Sequence, residues 1–163
     1  MTTGIFYGSS TGNTAALAKQ IATKLGLAVA AVHEVSKATI SDAEACELLL
    51  LGSSTWGLGE LQDDWYDFLA RLKKASLSGK RVALFGCGDS GGFSDTFCDA
   101  LAIIRDELAA TGCIFVGQID LSGNNYSSRA FEDGKAIGLT VDDSAPEATG
   151  ARLEAWIEAI TNS

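Results

Sequence analysis

The chain has 163 residues, 47% of them hydrophobic, a single proline and a net charge of −9. That content suits one compact domain over residues 1–163 with a sizeable core, and the acidic balance excludes nucleic acid, whose phosphates need basic partners. The longest apolar runs fall far short of the roughly 18 residues of a membrane span. The opening MTTGIFYG has neither the basic start nor the apolar core of a secretory signal, so the expectation is a cytoplasmic monomer. Cys46, Cys87, Cys98 and Cys113 form no CxxC pair. They lie in or beside apolar runs, the pattern of buried thiols rather than of a metal site or a disulfide framework.

Short β-type runs alternate with helical patterns along the chain. GIFYG (4–8) reads as the first strand, followed by a helix on which Leu17, Ile21 and Leu25 recur at four-residue spacing until Gly26, a candidate left-handed cap. LAVAAV (27–32) reads as the second strand, and the polar connection 33–46 carries a short helix around Ser41 to Ala45. ELLLLGS (47–53) is the third strand, with Trp65, Phe68, Leu69 and Leu72 marking the next helix. RVALFGC (81–87) is the fourth, followed by a helix with Leu101, Ile104 and Leu108 that ends at Gly112. CIFVGQI (113–119) is the fifth. A polar stretch, 120–136, separates it from a second apolar run, IGLTV (137–141), and reads as an insertion within or beside the fifth strand. The last helix runs from about Glu147 to Ile160, with Leu153, Trp156, Ile157 and Ile160 on one face. The strand runs are apolar without clean alternation, as in strands buried on both faces. This βα alternation predicts a parallel sheet with helices on both sides, whose ligands bind beyond the carboxyl ends of the strands.

Three loops at those ends carry the chemistry. In the first, Ser9, Ser10, Thr11, Asn13 and Thr14 supply hydroxyl and amide donors, Gly12 permits a close backbone approach, and the following helix aims its unpaired N–H groups and positive dipole end at an anion. A phosphate monoester fits. So does an ordinary capped helix, because Ser, Thr and Asn all make good caps. No lysine follows as in a Walker loop, which argues against magnesium nucleoside triphosphate. In the second loop, SSTWGLGELQDDW, Trp56 stands between Thr55 and Gly57, either a core residue or an indole free to lie on a flat ligand. The third loop, GCGDSGGFSD, sets Phe93 among glycines and offers Asp89 as an acceptor for ring N–H or sugar hydroxyl groups. A phosphate cradle beside a slot between two aromatics describes a flavin mononucleotide (FMN) site.

Competing chemistries find less support. GCGDSG is a literal GxGxxG, but it follows the fourth strand, whereas the dinucleotide fingerprint follows the first. A phospho-accepting regulator needs aspartates where Tyr7 to Ser9 and Gly52 to Ser54 stand, and CGDSGGF lacks the arginine of a cysteine phosphatase loop. The one histidine, His33, lies after an inner strand, away from the three loops. Two classes survive: a non-enzymatic electron carrier, and a small NAD(P)H-dependent flavin reductase, which needs a nicotinamide site open over the flavin.

From GIFYGSSTGNT through LLLLGSSTWGLGELQDDW, GKRVALFGCGDSGGFSDTFCDAL and IGLTVDD to ARLEAWIEAI, the chain resembles a flavodoxin of the long-chain bacterial type. The resemblance implies a flavodoxin-like three-layer α/β/α sandwich with a five-stranded parallel sheet in the order 2-1-3-4-5, the fifth strand interrupted; flavodoxin is the standard example of that order with FMN at its switch point. It implies that Ser9, Ser10, Thr11, Gly12, Asn13 and Thr14 hold the ribityl phosphate, that Ser54, Thr55, Trp56, Gly57, Leu58, Gly59, Cys87, Gly88, Asp89 and Thr96 line the ring, and that Trp56 and Phe93 cover its two faces. The Gly57–Leu58 peptide would face flavin N5, where a glycine lets the carbonyl turn at low cost. Three departures from the family pattern stand out: Phe93 for the usual tyrosine, Thr96 for asparagine and Ser54 for proline. The implied function is a low-potential one-electron carrier and not an enzyme, with basic-surfaced redox proteins as partners: a flavodoxin reductase as donor, and a nitrogenase or radical-generating enzyme as acceptor. The cation-free loop fits a low potential, because a lysine or arginine there would stabilise the reduced, anionic flavin. Glu60, Asp63, Asp64 and Asp67, with no basic residue between them, act in the same direction from one edge.

Overall fold

The computed structural model describes residues 2–56, 59–92, 94–121 and 126–163. β1 (Thr3–Gly8) and β3 (Leu48–Ser53) lie at the centre of the sheet, parallel and in unbroken register from Thr3 opposite Leu48 to Gly8 opposite Ser53. All six residues of β3 are buried, so its Leu-rich run is covered from both sides. Between these strands come α1 (Asn13–Leu25), β2 (Val32–Glu34) and α2 (Ile40–Glu44). Gly26 ends α1 at φ 67°, and its N–H and that of Leu27 close the last turn onto Thr23 and Ala22 carbonyls, the left-handed cap anticipated there. Thr39 and Asp42 form a reciprocal capping box that starts α2.

After β3 the chain makes a ribbon of β4 (Thr55–Trp56) and β5 (Glu60–Leu61), then α3 (Trp65–Leu72), which buries the four residues picked out by periodicity: Trp65, Phe68, Leu69 and Leu72. β6 (Arg81–Gly88) follows, then α4 (Asp99–Leu108). The remaining elements are β7 (Ile114–Val116), β8 (Ile119–Asp120), β9 (Phe131–Glu132), β10 (Lys135–Ala136), β11 (Leu139–Asp142) and α5 (Thr149–Thr161). The main sheet runs β2-β1-β3-β6, with β7 beside the start of β6 and β11 beside its end. Counted by position, this is the order 2-1-3-4-5 with the fifth strand in two pieces. Successive residues of the buried strands feed opposite cores. Phe6, Leu49, Leu51, Val82 and Leu84 pack with α3 and α4, whereas Ile5, Leu50, Ala83 and Phe85 pack with α1 and α5. No helix among the described residues is long and apolar enough to cross a membrane.

Two strand expectations need correction. The second strand is not 27–32: residues 29–31 form a 3₁₀ turn, Val29 is 91% exposed, and pairing covers only Val32–Glu34. This is an edge strand, and half of the apolar run 27–32 is small alanines that gain little from burial. His33 therefore sits on the edge, its ring stacked 4.7 Å from Phe6, not behind an inner strand. The fifth strand is not 113–119 either. Gly117, at φ 83°, turns the chain out of the sheet after Val116, and a Cβ there would stand 2.8 Å from the Trp156 indole nitrogen. The excursion forms its own small antiparallel sheet, in the order β8-β10-β9, before Leu139 re-enters beside Phe85.

Gly86 shows how closely the central layer is packed, because a Cβ on it would stand 2.4 Å from the Ser53 carbonyl oxygen. Backbone cannot give way as a flexible side chain can. Gly86→Ala should lower stability by about 1–3 kcal/mol, the usual cost of overpacking, read as a fall in the urea midpoint; an unchanged midpoint would contradict this packing.

Candidate functional site

Parallel alignment brings the loops after β1, β3 and β6 side by side at the carboxyl edge of the sheet. A cavity of about 280 Å³ opens there, lined by Thr11 and Asn13 from the first loop, Ser54, Thr55 and Trp56 from the second, and Cys87, Gly88, Asp89 and Thr96 from the third. Phe97, Cys98 and Asp143 complete its wall. Gly57, Leu58 and Phe93 lie outside the described residues.

The first loop is built to leave donors free. β1 stops at Gly8, where a Cβ would lie 2.3 Å from the Gln62 side-chain oxygen. α1 begins after Gly12, at φ 96°, and no side chain caps it. Among the hydroxyls that could have capped it, Ser9 Oγ instead accepts the Gly12 N–H at 3.1 Å, and Ser10 Oγ accepts from the Gln62 amide at 3.1 Å. Thr14 is fully buried, and among the described residues its hydroxyl has no oxygen or nitrogen partner, only the weakly bonding Cys87 thiol beside it. A buried hydroxyl without a partner costs about 1–3 kcal/mol, and a helix start without a cap leaves first-turn amides unpaired. An anion placed there would answer both. The six residues do not share one wall, however: Thr11 and Asn13 line the main cavity, whereas Ser9, Ser10 and Gly12 border an adjoining hollow of about 220 Å³ together with Glu34 and Asp64.

The second loop resolves the alternatives for Trp56. Trp65 and Trp156 are fully buried, whereas Trp56 is 40% exposed at the cavity rim. Its indole nitrogen donates to Ser54 Oγ at 2.7 Å, which fixes the plane of the ring. A proline at 54 could not do this. Thr55 Oγ1 accepts the Ala100 N–H at 3.1 Å and ties the ribbon to α4. Gly59, at φ 96°, is buried behind the cavity, where a Cβ would be 3.0 Å from an Asp99 carboxylate oxygen.

In the third loop, Asp89 Oδ1 accepts the N–H groups of Gly91 at 3.0 Å and Gly92 at 3.4 Å. Of the GxGxxG glycines, Gly86 and Gly88 lie within β6 and Gly91 spends its N–H on Asp89 of its own loop, and the next α-helix starts only at Asp99, which is not the geometry of a dinucleotide fingerprint. Burial pushes the Cys87 thiol up to about 12, so it lines the cavity as a neutral group. Burial also raises the Asp143 carboxyl, helped by the charges of Asp89 and Asp142. Glu60, Asp63, Asp64 and Asp67 are all exposed, but the block is not free of cations, because Arg71 pairs with Asp67 at 3.1 Å, one helical turn on.

The flavodoxin family model matches residues 5–156. The chain belongs to the flavodoxin family. It is 44% identical to flavodoxin 1 of Escherichia coli K12 over 162 residues, 98% of this chain and 92% of that one. With the Synechocystis flavodoxin it shares 37% over 160 residues, 96% and 94% of the two chains. Its structure superposes on that of the Fusobacterium nucleatum flavodoxin bound to flavin mononucleotide with a TM-score of 0.89 and 29% identity, covering 99% and 98% of the chains.

Sequence reasoning missed several residues of this flavodoxin's site. Phe97 and Cys98 follow Thr96 directly and were hidden in the apolar start of a helix. Asp143 was legible, because the rule that points to carboxyl ends of strands applies to IGLTV as well. Gln62 had no signal beyond its place among acidic residues. It is 2% exposed and joins three segments: its amide nitrogen donates to Ser10 and, at 3.0 Å, to Asp64, its amide oxygen accepts the Asp64 N–H at 3.0 Å, and its own N–H donates to Ser53 Oγ at 3.2 Å.

Gln62→Glu tests this junction almost isosterically. The new carboxylate would face that of Asp64, raising its folded pKa above the usual value of about 4.3. The resulting instability is present above the folded pKa and disappears as pH falls toward the unfolded value. The urea midpoint of the variant should therefore lie below that of the unaltered chain at pH 8 and approach it near pH 5; parallel curves would show that Gln62 does not hold Ser10 and Asp64 together.

Proposed function

We propose that this flavodoxin binds one FMN non-covalently and serves as a low-potential one-electron carrier between a basic-surfaced reductase and acceptor enzymes. The observation that carries the reading is the start of α1, which no side chain caps among the described residues, with the buried Thr14 hydroxyl that has no oxygen or nitrogen partner among them, set beside a cavity rimmed by Trp56. The residues present fit such a ligand: Ser9 to Thr14 with the first-turn amides of α1 hold the phosphate, Trp56 covers the ring and excludes water, and Ser54 keeps the indole in plane. Gly57, Leu58, Gly59, Cys87, Gly88, Asp89, Phe93 and Thr96 complete the ring site in this reading. When bound, FMN supplies reversible one-electron chemistry.

The loop 9–14 holds its anion through neutral donors only. A cation there would favour the more negative, reduced cofactor and raise the potential. Exposed Asp63 and Asp64 at the same edge act in the same direction, and with the net charge of −9 they steer a basic partner. A flavodoxin reductase fits as donor and a nitrogenase or radical-generating enzyme as acceptor.

Purified protein should be yellow and release one FMN per chain on denaturation. Release of an adenine-containing flavin, or failure of the apoprotein to bind added FMN, would end the reading. Trp56→Ala should weaken FMN binding about two- to tenfold, the equivalent of one aromatic contact, as measured by quenching of flavin fluorescence. Electron transfer from a reductase should slow as ionic strength rises past about 0.1 M, where the Debye length is about 10 Å, and Asp63→Asn with Asp64→Asn should remove most of that dependence. Salt-independent rates in the unaltered protein would exclude steering.

A further inference from the structure

We propose that Asp142, which the FMN reading leaves without a role, is a positioning residue that holds the Gly88–Ser90 wall of the cavity in place for the flavin ring. Asp142 ends β11 directly opposite Gly88 of β6, and it is only 3% exposed. Its carboxylate collects donors from three separate segments. Ser90 gives both its N–H, at 3.1 Å, and its hydroxyl. Ser144 gives its N–H at 3.0 Å and its hydroxyl at 2.7 Å. Tyr126, from the first half of the insertion, gives its phenol at 3.0 Å. Behind the phenol stands the buried Arg152, which donates to the Tyr126 oxygen at 2.6 Å and to the Thr140 carbonyl at 3.0 Å. Burial alone would raise the Asp142 carboxyl, but the Ser90 and Ser144 donors outweigh it and hold the group at about 2, so the bonds stay charge-assisted across neutral pH.

The loop served by this carboxylate has little else to fix it. Asp89, Gly91 and Gly92 are exposed and Ser90 only half-buried, residues 89–92 bring no apolar side chain of their own, and the two glycines add backbone freedom. What defines the loop is polar: the bonds of Ser90 to Asp142, the Gly91 and Gly92 N–H groups to Asp89 within the loop, the Gly91 N–H to Ser144 Oγ at 3.1 Å, and the Asp143 N–H to the Gly88 carbonyl at 2.8 Å. Gly88 and Asp89 line the main cavity, whereas the hollow beside Ser9 and Ser10 is bordered by no residue of this loop. Loosening Asp142 should therefore disturb the ring half of the site and spare the anion half.

The inference rests on the FMN reading, and its test separates the two. The apoproteins of the unaltered chain, Asp142→Asn, Ser90→Ala and Ser90→Thr are titrated with riboflavin, which has the ring but no phosphate, and with inorganic phosphate, which has no ring. Riboflavin affinity should fall about tenfold in Asp142→Asn and about threefold in Ser90→Ala, the scale of lost charge-assisted hydrogen bonds. Ser90→Thr, which keeps the hydroxyl, should restore it. Phosphate affinity should not change. Equal losses for both probes, or undiminished riboflavin affinity in Ser90→Ala, would overturn the positioning role, and the Ser90 pair decides the matter even if Asp142→Asn fails to fold. If the unaltered apoprotein binds neither riboflavin nor FMN, the FMN reading falls first and this inference with it.

Discussion

Two parallel strands buried on both faces, β3 and β6, constrain everything else in this molecule. Every residue of β3 is buried, and so are six of the eight in β6. The backbone there spends its N–H and C=O groups on ladder bonds to neighbouring strands, and its side chains are committed to two apolar cores. Polar chemistry can then be displayed only where the ladders stop. Close packing sharpens the limit, because Gly86 lies against the Ser53 carbonyl and Gly52 against the Phe85 ring, with no room for a Cβ at either position. Ser53, Ser54, Cys87 and Gly88 are where those strands run out, and the cavity forms on that rim.

The two halves of the rim use different physics. Around the first loop, the helix start is left open: a glycine stands at the N-cap, the Ser9 and Ser10 hydroxyls are engaged elsewhere, and Thr14 is buried with no oxygen or nitrogen partner among the described residues. Such a site is incompletely satisfied by protein alone, which is the condition for a ligand to contribute stability on binding. The second and third loops are the reverse. Many of their polar groups are paired within the protein: Asp89 with Gly91 and Gly92, Trp56 with Ser54, Thr55 with Ala100, and, behind them, Asp142 with Ser90, Ser144 and Tyr126. A flat, largely apolar ligand needs a wall of fixed shape more than it needs unpaired donors, and internal pairing supplies that shape.

The parts of this arrangement legible in the sequence were those set by local periodicity and by side chains with one plausible use. Leu17 and Ile21, or Trp65, Phe68, Leu69 and Leu72, repeat at helical spacing because burial on one face demands it, and the hydroxyl-rich 9–14 loop follows a buried strand. The second strand was misplaced because alanines 28, 30 and 31 counted as apolar although their burial gains little, whereas edge pairing selects Val32–Glu34. The exit of the fifth strand at Gly117 was invisible because it depends on a left-handed glycine packed against Trp156, nearly forty residues away. Gln62 and Asp142 were missed for the same reason. Each is a buried polar side chain whose partners come from distant segments, and no local pattern encodes such a partnership.

The insertion illustrates how a long-range polar contact can join an added segment to an existing site. Its small sheet packs Phe131 against the core and stacks Phe97 on Tyr126 at 4.9 Å, so the excursion is anchored by apolar contacts of its own. Arg129 and Asp99 add a second attachment, the Arg129 N–H donating to the Asp99 carboxylate at 2.8 Å. That carboxylate is raised by burial and stands close behind Gly59 in the second loop. The insertion thus touches the supports of two site loops: through Tyr126 the carboxylate that braces Ser90, and through Arg129 the carboxylate that backs Gly59. A segment tied to both supports, with none of its described residues lining the main cavity, can alter the shape of the site without altering its chemistry.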